Sequence, residues 1–221
     1  MRFYGKLLIL MLVVGALSYA IFAPPAGPRT MSDFDPNRIA DLETGMWQAY
    51  YGKENARLFV LLAATLREQY HYSWAVSFQE AFHLARAAAR FSDLRSNYDS
   101  VLPDLEAAYT RAHDWVHGDF DPKAVARAEL AWWVARRTPG QSSTEQVADL
   151  MATEYALLYS RPRQMMLEAA VMRADAAALR DAHADHPDWD TVKQLLQYSY
   201  RELYAALSAR MAAQLRATIR A

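Results

Sequence analysis

Cysteine is absent from the 221-residue sequence. That excludes disulfides, thiolate metal sites, a cysteine nucleophile and lipoprotein acylation. It leaves the compartment open, because an exported domain with a sufficient core needs no disulfides. Glycine and proline are scarce, at seven and nine, too few for an all-β chain with many turns. An excess of one charge is also missing: 24 basic and 25 acidic residues are interleaved along the chain. The basic footprint of a nucleic-acid binder is therefore lacking. No glycine-rich phosphate loop, nucleophile elbow or Ser-His-Asp arrangement is visible.

What is present favours helix. Apolar residues make up 53% of the chain, enough to bury a sizeable core. Ala, Leu, Arg, Glu and Gln are common while Val and Ile are sparse. The expected fold class is all-α, a bundle of about seven to eight helices preceded by an N-terminal hydrophobic membrane-targeting helix. Arg2 and Lys6 precede an unbroken apolar run from Leu7 to Ala23, closed by Pro24-Pro25. Residues 1–23 therefore read as a signal anchor, with a cleaved signal peptide (Ser18-Tyr19-Ala20 is a passable site) as the competing reading. Either way the N-terminus stays cytoplasmic and the body lies on the extracytoplasmic (periplasmic) side. Residues 24–34 read as a linker with no structure of its own, and 35–221 as the helical domain.

Helix starts are marked by chemistry. Asp35-Pro36 and Asp121-Pro122 each offer an N-cap followed by proline at the first helical position. Ser73 and Ser143 or Thr144 are further caps, and 138–143 is the clearest loop. Gly52 either breaks the first long helix or kinks it. After Ser73, Trp74, Phe78, Ala81, Ala85 and Ala88 form the expected inward face.

The two proline-started helices also resemble each other. Asp33, Phe34, Asp35, Pro36, Ala40, Glu43 and Trp47 match Asp119, Phe120, Asp121, Pro122, Ala126, Glu129 and Trp133 without a gap. At the same offset Glu68 falls on Glu154. With small length changes the Ala-rich helix after Glu80 aligns with the one after Glu168. Val101, Leu105 and Tyr109 align with Val192, Leu196 and Tyr200. Shared capping explains Asp-Pro, but not Glu and Trp at matching depths. The expectation is an internal duplication with units 33–118 and 119–210.

Glu43 and Glu129 are the candidate functional residues. Each lies within an apolar helical stripe, where a carboxylate must be paired, hydrogen-bonded, protonated or metal-bound. The functional reading brings both into one ligand-binding interior, flanked by Trp47 and Trp133. The structural reading closes each with its own arginine. A metal reading adds Glu68, His71 and Glu154 to Glu43 and Glu129, on the pattern of a di-iron or di-manganese carboxylate bundle. It is incomplete, since Glu68-x-x-His71 has no counterpart histidine after Glu154. Glu80 and His83 fall on the expected solvent face. His113 and His117 have a zinc-compatible spacing, but no Glu follows the first. The default is no cofactor, with iron or manganese as the alternative.

Two functions follow. The first is a membrane-tethered extracytoplasmic domain in protein interaction or scaffolding, its partners the membrane and another protein. The second is a carboxylate-site enzyme or ligand binder using Glu43 and Glu129.

Overall fold

A computed structural model describes the backbone of residues 2–220 and the side chains of residue 6 and residues 10–208. Among the described residues there are nine α-helices and no strand. The N-terminal helix α1 spans Arg2–Phe22. The body has eight: α2 (Pro36–Tyr51), α3 (Asn55–Tyr70), α4 (Trp74–Asp93), α5 (Leu102–Val116), α6 (Pro122–Ala135), α7 (Thr144–Leu158), α8 (Arg163–Ala182) and α9 (Trp189–Arg220). A 3₁₀ turn over Tyr98–Val101 leads into α5.

The caps form as the residue types dictate. Asp35 accepts from the Asn37 and Arg38 amides, and Asp121 from the Lys123 amide. Ser73 and Ser143 cap α4 and α7. Each satisfies donors that the first helical turn would otherwise leave orphaned. Gly52 breaks the first long helix: it caps α2, and α3 starts three residues later.

The eight body helices make a closed ring. Each packs on the next from α2 through α9, and α9 returns to pack on α2. Burial repeats around it. Ala63, Leu66 and Tyr70 on α3 are buried as Ala152, Tyr155 and Tyr159 are on and after α7. Val101, Leu105, Tyr109 and Ala112 are buried as Val192, Leu196, Tyr200 and Leu203 are on α9. Ala81 and Ala87 on α4 answer Ala170 and Ala176 on α8. In this register Glu154 answers Thr65, not Glu68. The offset of the first helices does not hold, because the α6–α7 connection (136–143) is longer than the α2–α3 connection (52–54).

Two expectations need correction. The inward face of α4 is rotated: Ser77, Glu80, Ala81, Ala87 and Phe91 are buried, while Phe78 and Phe82 are exposed. The periodic aromatics misled because Phe78 and Phe82 pack along the outside, Phe78 against Trp74 and Phe59. Residues 24–34 form no helix or strand but are tied down. Met31 and Phe34 are buried, and Phe34 meets the rings of Tyr200 and Tyr204 edge-on. Arg29 lies over Trp115 at 4.1 Å. Finally, among the described residues no helix is long and apolar enough to cross a membrane. Every described side chain of α1 from residue 10 to 22 is nevertheless exposed, and among the described residues α4 is the helix that α1 packs on.

Candidate functional site

The ring encloses a cavity of about 160 Å³. Glu43 from α2 and Glu129 from α6 both line it, together with Glu80 from α4, Glu154 from α7 and Arg173 from α8. Six tyrosines share the wall: Tyr70, Tyr72, Tyr109, Tyr155, Tyr159 and Tyr200. Leucines at 62, 66, 84, 158 and 203 supply the apolar part.

Glu43 is 1% exposed and fully answered. The Arg173 guanidinium donates to its Oε1 from Nε at 3.0 Å and Nη2 at 2.6 Å, and the Tyr200 hydroxyl donates to Oε2 at 2.5 Å. Arg173 also lies 5.3 Å from the Trp132 ring centre. Burial works against its charge, but Glu43 and the surrounding tyrosines and Glu154 outweigh that. Its pKa stands well above the ordinary value.

Glu154 is held by neutral donors. Trp132 Nε1 donates to Oε2 at 2.6 Å and the Tyr109 hydroxyl to Oε1 at 3.2 Å. Burial raises its pKa, while Arg173 and these two hydrogen bonds pull the other way and Glu43 adds to the rise.

Glu129 has no such answer. One flank of the residue is partly exposed, but its Oε2 is sealed from solvent and finds no hydrogen-bond partner among the described residues. Burial and the nearby Glu154 charge push its carboxyl up to about 8, against the pull of Tyr109 and Arg173. A neutral carboxylic acid at pH 7 is what such a site enforces. Glu80 is the second incomplete acid. It is 2% exposed, its Oε1 accepts from Arg111 Nε at 3.2 Å, and its Oε2 is unpartnered. Burial raises its pKa in spite of Arg111.

The candidates from the sequence therefore divide. Glu43, Glu129 and Glu154 come together. Glu68 and His71 do not. They hold the chain before α2: the Asp35 amide donates to Glu68 Oε1, and His71 Nε2 donates to the Asp33 carbonyl at 2.6 Å. Among the described residues no group of three or more His, Cys, Asp or Glu side chains could hold a metal ion. The five-residue metal set is thus not assembled, because His71 sits at the left-handed end of α3 and turns outward. Trp47 and Trp133 pack on the core outside the cavity wall. Trp133 meets Phe91, and its neighbour Trp132 is the indole that enters the site. Glu80 was expected on the solvent face and is on the cavity wall. Arg136, two turns beyond Glu129, pairs with Asp181 instead.

Sequence reasoning missed Arg173, though the same signal marks it. It lies in a stripe with Ala169, Ala170, Ala174 and Ala177, all buried, so it is a charge on an apolar face. Tyr109 and Tyr200 stood out only as matched positions of the repeat. No protein-family model, curated protein or solved structure matches this chain.

Proposed function

We propose that this protein binds a small molecule inside its helical ring, with the ring tethered to a membrane by α1. The observation that carries the reading is the incomplete polar wall. A cavity of about 160 Å³ is close to the size that admits a benzene-sized guest. Two carboxyl oxygens of residues in its wall, on Glu80 and Glu129, lack partners among the described residues. A buried polar group left unpaired costs about 1–3 kcal/mol, and a bound guest removes that cost. The paired Glu43–Arg173 unit would fix the shape of the wall. Binding is the function proposed, since no nucleophile with its own base is evident in the cavity wall.

Purifying the full-length protein from membranes and denaturing it should release one small molecule per chain, read by mass spectrometry. Ala108→Phe would push a ring into the cavity and should leave that molecule behind. Identical extracts from both proteins would sink the reading.

The tether rests on the apolar run of α1 and on its exposed side chains, a surface that water disfavours by roughly 25 cal/mol per Å². Full-length protein should sediment with membranes and a chain starting at residue 24 should not. Protease applied from outside spheroplasts should reach the body. A second reading, protein scaffolding, is favoured by the aromatic surface of Phe78 and Phe82, 37% and 54% exposed, with Phe78 against Phe59 on α3. Phe82→Glu should abolish recovery of a cross-linked partner if that surface docks one.

A further inference from the structure

The wall of the cavity is short of positive charge. It carries four glutamates and one arginine. The arginine is committed: its Nε and Nη2 donate to Glu43 Oε1 and its Nη1 to the Tyr155 hydroxyl. Arg111 reaches Glu80 by a single bond from outside the lining residues. Glu154 has neutral donors only. The two open positions, Glu80 Oε2 and Glu129 Oε2, are both carboxyl oxygens. The rings of Tyr70 and Tyr72 stack at 5.2 Å in the same wall.

The two halves of the ring make the deficit specific. In the register set by Ala81 with Ala170 and Ala87 with Ala176, the position of Arg173 on α8 is taken by Leu84 on α4. Glu43 has a guanidinium from the protein. Glu129 has leucine where that guanidinium would come from, and Leu84 lines the cavity.

From this geometry we infer that the guest is a small primary ammonium cation, whose charged end takes beside Glu129 the place that Arg173 takes beside Glu43. The inference rests on the interior-binding reading above. An ammonium group brings three N–H donors and no acceptor, which suits orphaned carboxyl oxygens. Tyrosine faces attract it further. Its hydrocarbon end would meet Leu62, Leu66 and Leu84. An anionic guest would face uncompensated glutamates instead, with the one lining arginine already engaged.

Binding carries a proton balance. Glu129 gives up its proton as the ammonium arrives, so one proton passes to the buffer and the ion pair replaces the neutral acid. The groups facing Glu129 are Tyr109 from α5, Glu154 from α7, Tyr70 from α3 and Arg173 from α8. Affinity should therefore rise with pH until Glu129 is ionised in the empty protein.

The test compares n-butylammonium with 1-butanol, equal in heavy atoms, by calorimetric titration of the full-length protein in detergent. At pH 8.5 the cation should bind at least about tenfold more tightly, the gain expected of a desolvated charge-assisted contact. The gap should narrow at pH 6. Below pH 8 cation binding should release a proton, seen as a heat that varies with buffer ionisation enthalpy. Glu129→Gln should erase the gap, and Leu84→Arg, a tethered cation in the same place, should block the ammonium. Circular dichroism checks that both variants fold. Tighter or equal binding of 1-butanol would overturn the cation class while leaving interior binding standing. Binding of neither, in a protein that also releases no small molecule on denaturation, would overturn both.

Discussion

Asp35-Pro36 starts α2 and Asp121-Pro122 starts α6, and each helix carries a glutamate at the same distance from its proline. Both glutamates reach one cavity near a tyrosine from the corresponding helix, but Tyr200 donates to Glu43 whereas Tyr109 donates to Glu154 beside Glu129. The difference lies in the third partner. Arg173 completes Glu43, whereas Glu129 faces the carboxylate of Glu154 and the leucine at position 84. A buried charge is tolerated when charge and hydrogen bonds answer it, and otherwise the group keeps its proton. One architecture thus holds a fully answered carboxylate and an incompletely answered one. Like positions on the two helices do not give them like chemistry.

The largest expected effect tests the structural half. Glu43→Gln leaves Arg173 buried without its counter-ion, and Arg173→Met strands Glu43. Each should lower unfolding stability by about 3–5 kcal/mol in urea titrations. Glu129→Gln at pH 6 should change it little, since an amide there replaces an acid that is already neutral. Equal losses at Glu43 and Glu129 would erase the distinction.

The next effect is its pH signature. Glu129 rises from 4.5 to about 8 on folding. Between those values the folded chain keeps a proton that the unfolded chain has lost, so stability falls as pH rises through this window. The slope is at most about 1.4 kcal/mol per pH unit. The raised pKa of Glu154 acts with the same sign. Melting temperatures from pH 5 to 9 should decline in the wild type and decline less in Glu129→Gln, which should be the more stable protein above pH 8. Parallel curves would mean that Glu129 is ionised in the fold. Tyr200→Phe follows, removing the 2.5 Å bond to a charged Glu43 oxygen for about 1.5–3 kcal/mol. Tyr109→Phe should cost less, and it should lift the Glu129 carboxyl still further.

Much of this contrast was readable before the fold. Helix starts follow from Asp-Pro and serine caps, whose chemistry is local. The odd position of Glu43 and Glu129 follows from helical periodicity. Their convergence does not, because it depends on the ring closing α9 onto α2. The register of α3 against α7 was misread for want of a loop length, which put Glu68 where Thr65 belongs. The face of α4 is rotated from the expected one, which keeps Ala81 but not Phe78, because exposed phenylalanines carry the same period as buried ones. Arg173 was legible by the rule applied to the glutamates, but a lone arginine among alanines looks like a solvated face until its partner from α2 is in place.

The smallest effect separates the ring's closure from the cavity's electrostatics. Two ion pairs tie α2 to the last helices: Arg173–Glu43 inside and Lys193–Asp41 outside, the latter at 2.7 Å with both side chains more than 40% exposed. An exposed pair is screened and loses side-chain freedom, so it contributes about 0.2–1 kcal/mol. Closure should instead come from Val192, Leu196, Leu203 and Leu207, all buried on α9, at about 1.5–3 kcal/mol per side chain. Lys193→Ala should shift the urea midpoint slightly at low salt and not at all in 1 M NaCl, where the screening length is about 3 Å. Leu196→Ala should cost about 2–5 kcal/mol under both conditions. A salt-independent loss at Lys193 comparable to that at Leu196 would mean that the ring is held shut from its surface.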